Sequence, residues 1–337
     1  MAATAIRRRN SNIMTPEFSL VAIKPNLILD LFSRLVLRRR FEYYLRPSNF
    51  EGSVQHYYHF LLGFFVPLVI FSDKLRRAAP KSTIHVRSCA LLDYIVHEAR
   101  LENVVIHESA VHKEGIAFAH AHLVKDIALG GMDHPRLYDR LILQRATTIV
   151  KQRLEHEIRS EILAIEKGLS DHALVLIVRR AEEDPFYSSD FSEIKTAGAT
   201  RRSIANHDEL HHAISQLGAN VISTTLEGKG LAHQIALFTT ADIIVCQHGG
   251  ALANLIWARP ETVLIEINPV TLPDLIKRRR YFGRLAECLG MSYVSIDQTD
   301  HHSAVDVDRV AAAAQQALQS KSPEAPTQYF CRTKARR

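Results

Sequence analysis

Polar groups terminate or interrupt apolar runs in the second half of the chain, and each has chemistry to offer. Residues 173–178 (ALVLIV) end in Arg179 and Arg180, residues 242–247 (DIIVCQ) end in His248-Gly249-Gly250, and Glu266 stands inside the run 262–267 (TVLIEI). An apolar strand that stops at Gly-Gly and restarts as a helix at Ala251 presents bare backbone N–H groups to an anion such as phosphate. Arg179, with Arg201 and Arg202 from the polar stretch that follows, brings planar guanidinium donors to the same anion. Each feature also has a plain structural use. Gly-Gly serves many tight turns by packing alone, His248 packs in such a turn, Glu266 pairs with an arginine, and Arg201 and Arg202 sit on a solvated loop.

The elements that must position these groups alternate regularly. After 173–178 comes a polar loop containing Asp184, Pro185 and Gly198. Asn206, with Glu209 three residues on, predicts a capping box at the start of a helix. Leu210, Ala213, Ile214 and Leu217 supply its apolar face, and Gly218 stops it. Then follow strand 220–224 (NVIST), helix 231–241, strand 242–247, a helix from Ala251 to Trp257 and strand 262–267. This is a β-α-β-α-β-α-β unit, a doubly wound sheet whose ligands bind beyond the carboxyl ends of its strands.

The first half is less regular. An apolar segment, 59–71, contains Pro67 and reads as a buried helix. A strand at 82–88, a helix at 91–101, a strand at 103–109 and a long amphipathic stretch at 135–167, one helix or two, argue for another parallel α/β layer. The expected organisation is an irregular arm (1–50), a first α/β domain (51–170), the doubly wound domain (171–300), and a C-terminal helix with a basic tail (301–337).

Bulk properties bound the function. The 337 residues suffice for two domains, and 47% hydrophobic with 23% charged residues is a globular composition. The longest apolar stretch is too short to span a bilayer, and no signal peptide is visible. Four widely spaced cysteines suit reduced thiols in a cytoplasmic protein. The net charge of +6 gathers in Arg7–Arg9, Arg38–Arg40, Lys277–Arg280 and Arg336-Arg337. Such runs are solvated surface or a peripheral contact with an anionic membrane. No nucleic acid is expected, because aromatic residues are not interleaved with the basic ones. Of 18 histidines, His207, His211 and His212 cluster without a third ligand at a zinc spacing, so no metal is expected. Asp306 and Asp308, which superficially resemble a cation-holding Asp-x-Asp, read as first-turn helix acids.

Four segments taken together resemble glycosyltransferase family 61. "HGGALANLIWARPETVLIEINP" is similar to its His-Gly-Ala-x-Leu-x-Asn hallmark, with Gly250 where the family usually has Ala; "RRSIANHDEL", "LAHQIALFTTADIIV" and "HYYHFLLGFFVPL" match further segments in order. The resemblance implies a GT-B-like α/β fold, two Rossmann-like domains facing across a cleft. It also implies inverting, metal-independent transfer from a nucleoside-diphosphate sugar to a glycan hydroxyl in polysaccharide or capsule synthesis, with no cofactor. His248, Gly249, Gly250, Ala251 and the arginines would then stabilise the leaving diphosphate, Asn254 would orient His248 or touch the donor, and Glu266 would accept the ribose hydroxyls. His59 is either the acceptor-side catalytic residue or a structural histidine, and His248 is the second catalytic candidate. A polysaccharide pyruvyl transferase, or a non-catalytic partner that binds glycan or nucleotide, remains the alternative.

Overall fold

The computed structural model describes residues 53–78, 80–108, 137–270 and 281–320, with the strands Ser19–Val21, Glu42–Arg46 and Ala117–His120. Among the described residues ten strands, β1 to β10 in chain order, form two five-stranded sheets. The first joins β1 (Ser19–Val21), β5 (Ala117–His120), β2 (Glu42–Arg46), β3 (Thr83–Arg87) and β4 (Val104–His107) in that spatial order. Only β1 runs antiparallel to its neighbour. Two of these strands lie in the stretch expected to be an irregular arm. They are three and five residues long, too short for a period-two pattern to stand out between Pro and Asn.

The second sheet is parallel throughout, in the order β10 (Ser292–Gln298), β9 (Val263–Pro269), β8 (Ile243–Gln247), β6 (Leu174–Val178), β7 (Asn220–Thr224). The chain leaves β6 to one side for β7 and returns on the other side for β8. The carboxyl ends of β6 and β8 therefore flank the switch point where ligands bind in such sheets. β8 and β9 are adjacent and parallel, as expected, with Cys246 opposite Glu266. Burial explains their composition: every residue of β6 and β8 is inaccessible, because helices cover both faces.

Alternation along β6 divides the core. Val175 and Ile177 face the helices His207–Ser215 and Val307–Ser320, against Leu210, Ile214, Val310 and Ala314. Leu176 and Val178 face the opposite way, into a larger cluster with Phe238 and Trp257. That cluster continues into the first half through Phe60, Phe64, Phe65, Ile84 and Val86. Both sheets thus share one apolar core. Its centre is the 59–71 segment, which forms a π-helical turn (His59–Phe65) running into the helix Val66–Ala78. The Val66 N–H reaches back five residues to Leu61, next to Pro67, which has no N–H to give.

Local expectations met the structure unevenly. The 135–167 stretch is two helices, Leu137–Arg153 and Glu155–Glu166. Asn206 precedes its helix but does not cap it. Its side chain exchanges hydrogen bonds with the Val305 backbone (2.8 and 3.0 Å) and reaches Glu209 at 3.2 Å. A distant backbone partner outcompeted the local one. Asp308 stands in the first turn of the helix Val307–Ser320, while Asp306 precedes that helix and caps it, accepting from the Arg309 N–H at 3.1 Å. Cys89, Cys246 and Cys288 are buried thiols. Among the described residues no helix is long and apolar enough to cross a membrane. Cys331 and all four basic runs lie outside the described residues.

Candidate active site

A cavity of about 450 Å³ opens at the switch point of the second sheet and is closed by the first half of the chain. Arg179, Arg180, Arg201, Glu227, Gln247, Gly250, Ala251 and Asn254 line one side; Gln55, His56, Tyr57, Leu91 and Tyr94 line the other.

Arg180 is the most firmly held cation here. It follows β6, and its Nε donates to Gln247 Oε1 (3.0 Å) while a terminal nitrogen donates to the His248 carbonyl (2.6 Å). Arg202, buried, donates to the same carbonyl at 3.0 Å. Gly249 is what lets Arg180 pass: a Cβ there would lie 1.9 Å from the guanidinium. A side chain at the first glycine would therefore displace the end of Arg180 from its two bonds. At Gly250 an added Cβ would meet Tyr57 Cβ at 3.4 Å and the Tyr58 nitrogen at 3.6 Å, ordinary contacts. The expected helix after the glycines is a 3-10 helix, Gly250–Trp257. Arg179 and Arg201 are exposed and line the cavity, so they complete a cationic rim with Arg180.

Glu266, expected to accept the ribose hydroxyls, is not among the residues that line the cavity. Its side chain is 0% exposed, and its oxygens accept from His248 Nδ1 (2.6 Å) and Tyr293 OH (2.8 Å). The carboxylate fixes the His248 ring, which also meets Phe282 edge-on with centroids 5.3 Å apart. Burial raises the Tyr293 phenol well above its ordinary range, and the Glu266 charge adds to it. Gly283 makes room for that ring, since a Cβ there would sit 2.7 Å from Tyr293 Cε1.

Asn254 is likewise inaccessible. Its Oδ1 accepts from Tyr57 OH (2.8 Å) and Trp257 Nε1 (3.0 Å). Tyr57 OH also reaches Gln234 Oε1 at 3.0 Å, and Gln234 donates to Tyr94 OH at 2.8 Å. This buried network ties the first half (Tyr57, Tyr94) to the second (Gln234, Asn254, Trp257) at the cavity floor.

His59 stands half-buried, its ring 5.9 Å from that of His56 and 5.4 Å from that of Tyr58. It is His56, one turn earlier, that lines the cavity. Burial, with the charges of Arg201 and Arg202, pushes its pKa down to about 4, so the imidazole is neutral at pH 7. Sequence reasoning missed His56, Gln247, Gln234, Tyr94 and Glu227. His56 and Gln234 lie inside two of the quoted segments; Glu227 had no signal beyond its place after a strand. His207, from the histidine cluster, is half-buried with its pKa pushed down to about 4 by burial and Arg179. Among the described residues no three His, Cys, Asp or Glu side chains converge as a metal site would need.

Fold and site define an α/β protein of GT-B-like build: two sheets, a shared core, and a cation-rimmed cleft at the carboxyl ends of parallel strands. The family model Glycosyltransferase 61 matches residues 57–265. The chain belongs to glycosyltransferase family 61. No curated protein matches it. Among solved structures, a family 9 glycosyl transferase from Veillonella parvula is similar at 9% identity and TM-score 0.37, covering 83% of this chain and 97% of that one. ADP-heptose LPS heptosyltransferase II from E. coli is similar at 12% identity and TM-score 0.39, covering 83% and 99%. A flavodiiron core from Synechocystis scores 0.27 at 12% identity, covering 87% and 82%. Scores this low establish no shared fold, and the architecture rests on the strand pairing itself.

Proposed function

We propose that this glycosyltransferase moves a sugar, with inversion and without a metal, from a nucleoside-diphosphate sugar to a glycan hydroxyl in polysaccharide assembly. The observation that carries this is the rim of Arg179, Arg180 and Arg201 at the sheet's switch point, facing His56 across the cavity. In one in-line displacement the acceptor oxygen bonds to the anomeric carbon as the bond to the phosphate oxygen breaks. The nucleoside diphosphate leaves with the electron pair, and the guanidinium groups stabilise its charge. The acceptor's proton goes to a base, and His56 is the side chain placed to take it.

Donor binding would also raise the basicity of His56. Its imidazole is held neutral partly by the positive charge of Arg201 and Arg202. A bound diphosphate neutralises that charge and so makes the protonated ring less costly. His248 serves the same chemistry indirectly, because its carbonyl holds Arg180 and Arg202 and its ring is fixed by Glu266. His59 stays behind His56 as the second histidine of the pair.

The test is a transfer assay with nucleoside-diphosphate sugars and oligosaccharide acceptors in EDTA, with the anomeric configuration read by NMR. Product of inverted configuration formed in chelator is expected. Retained configuration, or activity that needs added Mn²⁺ or Mg²⁺, contradicts the mechanism.

A further inference from the structure

A phenyl ring stands in water at the rim of the cavity. Phe191 is 85% exposed, well beyond the other exposed large hydrophobic side chains among the described residues, of which Leu163 comes next at 58%. It belongs to the loop after β6, in which Tyr187, Ile194 and Thr196 line the cavity. The loop is pinned to the first half of the chain at this point. Gln55 Nε2 donates to the Phe191 carbonyl (3.3 Å), Gln55 Oε1 accepts from the Glu193 N–H (2.6 Å), and Ser53 Oγ donates to the Glu193 carboxylate (2.6 Å). Ser192, between them, is buried. Gln55 also lines the cavity and immediately precedes His56. The backbone that carries Phe191 is thus fixed beside the proposed base, while its ring forgoes the burial that stabilises most phenyl rings.

A pinned aromatic at the mouth of a polar cavity suits a ligand with one apolar face and a polar edge. A neutral pyranose is such a ligand. Its C–H groups, slightly positive, pack on the negative face of an aromatic ring, and its hydroxyls donate to carboxylates. Asp190, exposed, precedes Phe191 in the loop. Leu91, also exposed, adds apolar surface to the cavity wall formed by the first half. The cations for the diphosphate lie at the carboxyl ends of β6 and β8, whereas Phe191 is held by the neighbour of His56, on the side where the acceptor gives up its proton. We infer that Phe191 is the platform on which a neutral sugar ring of the acceptor glycan stacks, with Asp190 accepting from its hydroxyls. This rests on the function proposed above and adds an acceptor subsite to it.

Phe191→Trp turns the ring into a reporter, because the chain's one tryptophan, Trp257, is buried. Its emission is titrated with the methyl glycosides of glucose, galactose, mannose and N-acetylglucosamine and with cellobiose, lactose and maltose, alone and with UDP or ADP present. At least one sugar should shift the emission to the blue, saturably. With that sugar as acceptor, Phe191→Ala should raise its KM at least tenfold and leave nucleoside diphosphate affinity unchanged. Phe191→Tyr should match the wild type, as should Leu163→Ala on the helix Glu155–Glu166. No shift with any of these sugars, no transfer to the sugar that binds, an unchanged KM in Phe191→Ala, or an equal loss in Leu163→Ala overturns the assignment. Nucleoside diphosphate affinity lost in Phe191→Ala overturns it too, by moving the ring to the donor. In each case the donor site is judged separately: a wild type that binds no nucleoside diphosphate overturns the function proposed above, whatever the emission shows.

Discussion

Arg180 and Gly249 share one volume: the guanidinium of the first lies where the second would carry its β-carbon, 1.9 Å from that position. The arginine that faces the cavity and the glycine beneath it are therefore a matched pair. Gly249→Ala should expel Arg180 from its bonds to Gln247 and the His248 carbonyl. The expected result is a stability loss of about 1–3 kcal/mol, the range for overpacking, with nucleoside diphosphate affinity down at least tenfold. Gly250→Ala should stay close to wild type in both. Chemical denaturation and titration on the two variants check this.

Glu266→Gln removes the charge that holds His248 through a 2.6 Å contact. Loss of a buried charged hydrogen bond should cost about 1–3 kcal/mol of stability. Because Glu266 supports the site without entering it, affinities for UDP and for pyrophosphate should change together. A loss confined to the nucleoside diphosphate would return the ribose to Glu266.

How much of this was legible beforehand depended on range. The alternation of strands and helices from 173 to 267 was plain, because strands buried on both faces must be uninterrupted apolar runs. The pairing of β8 with β9 followed from that alternation. The Glu266–His248 contact was not legible: it joins residues 18 apart through the register of neighbouring strands. Neither was the link between Arg180 and Gly249, which depends on where a long side chain folds after the sheet forms. Asn254 was singled out one turn into the hallmark helix, as a residue to orient His248 or touch the donor. Its partner, Tyr57, lies 197 residues away, and no local pattern could name it.

Tyr57→Phe tests that long contact. The substitution keeps the ring and removes the donor that Asn254 and Gln234 both accept from. Asn254 Oδ1 keeps Trp257 Nε1 and Gln234 Oε1 keeps Asn254 Nδ2, so the lost hydrogen bond should cost about 0.5–1.5 kcal/mol. Asn254→Ala should cost a similar amount, and the double variant less than the sum, because the residues share one network. Urea denaturation of the three variants gives the coupling.

His56 makes stability and catalysis depend on pH in a stated direction. Its pKa is about 4 in the folded chain against 6.5 for an ordinary histidine. Between those values the unfolded chain binds protons that the folded site refuses, so stability should fall as pH falls from about 6.5 to about 4. His56→Asn should flatten part of that fall. His207, with the same shift, accounts for another part. In kinetics, the acidic limb of kcat should lie at higher pH than that of kcat/KM, since only the former reports His56 with diphosphate bound. Coincident limbs would remove His56 as the base.

The most direct measurement of the central claim is a calorimetric titration, in EDTA, of the wild type and Arg180→Met with nucleoside diphosphates, phosphoenolpyruvate and pyrophosphate. The account predicts saturable binding of at least one nucleoside diphosphate by the wild type. That affinity should fall at least tenfold in Arg180→Met, about 1.4 kcal/mol, with phosphoenolpyruvate binding far more weakly to both. Phosphoenolpyruvate as the preferred ligand, or nucleoside diphosphate binding that ignores Arg180 or requires a divalent cation, would contradict it.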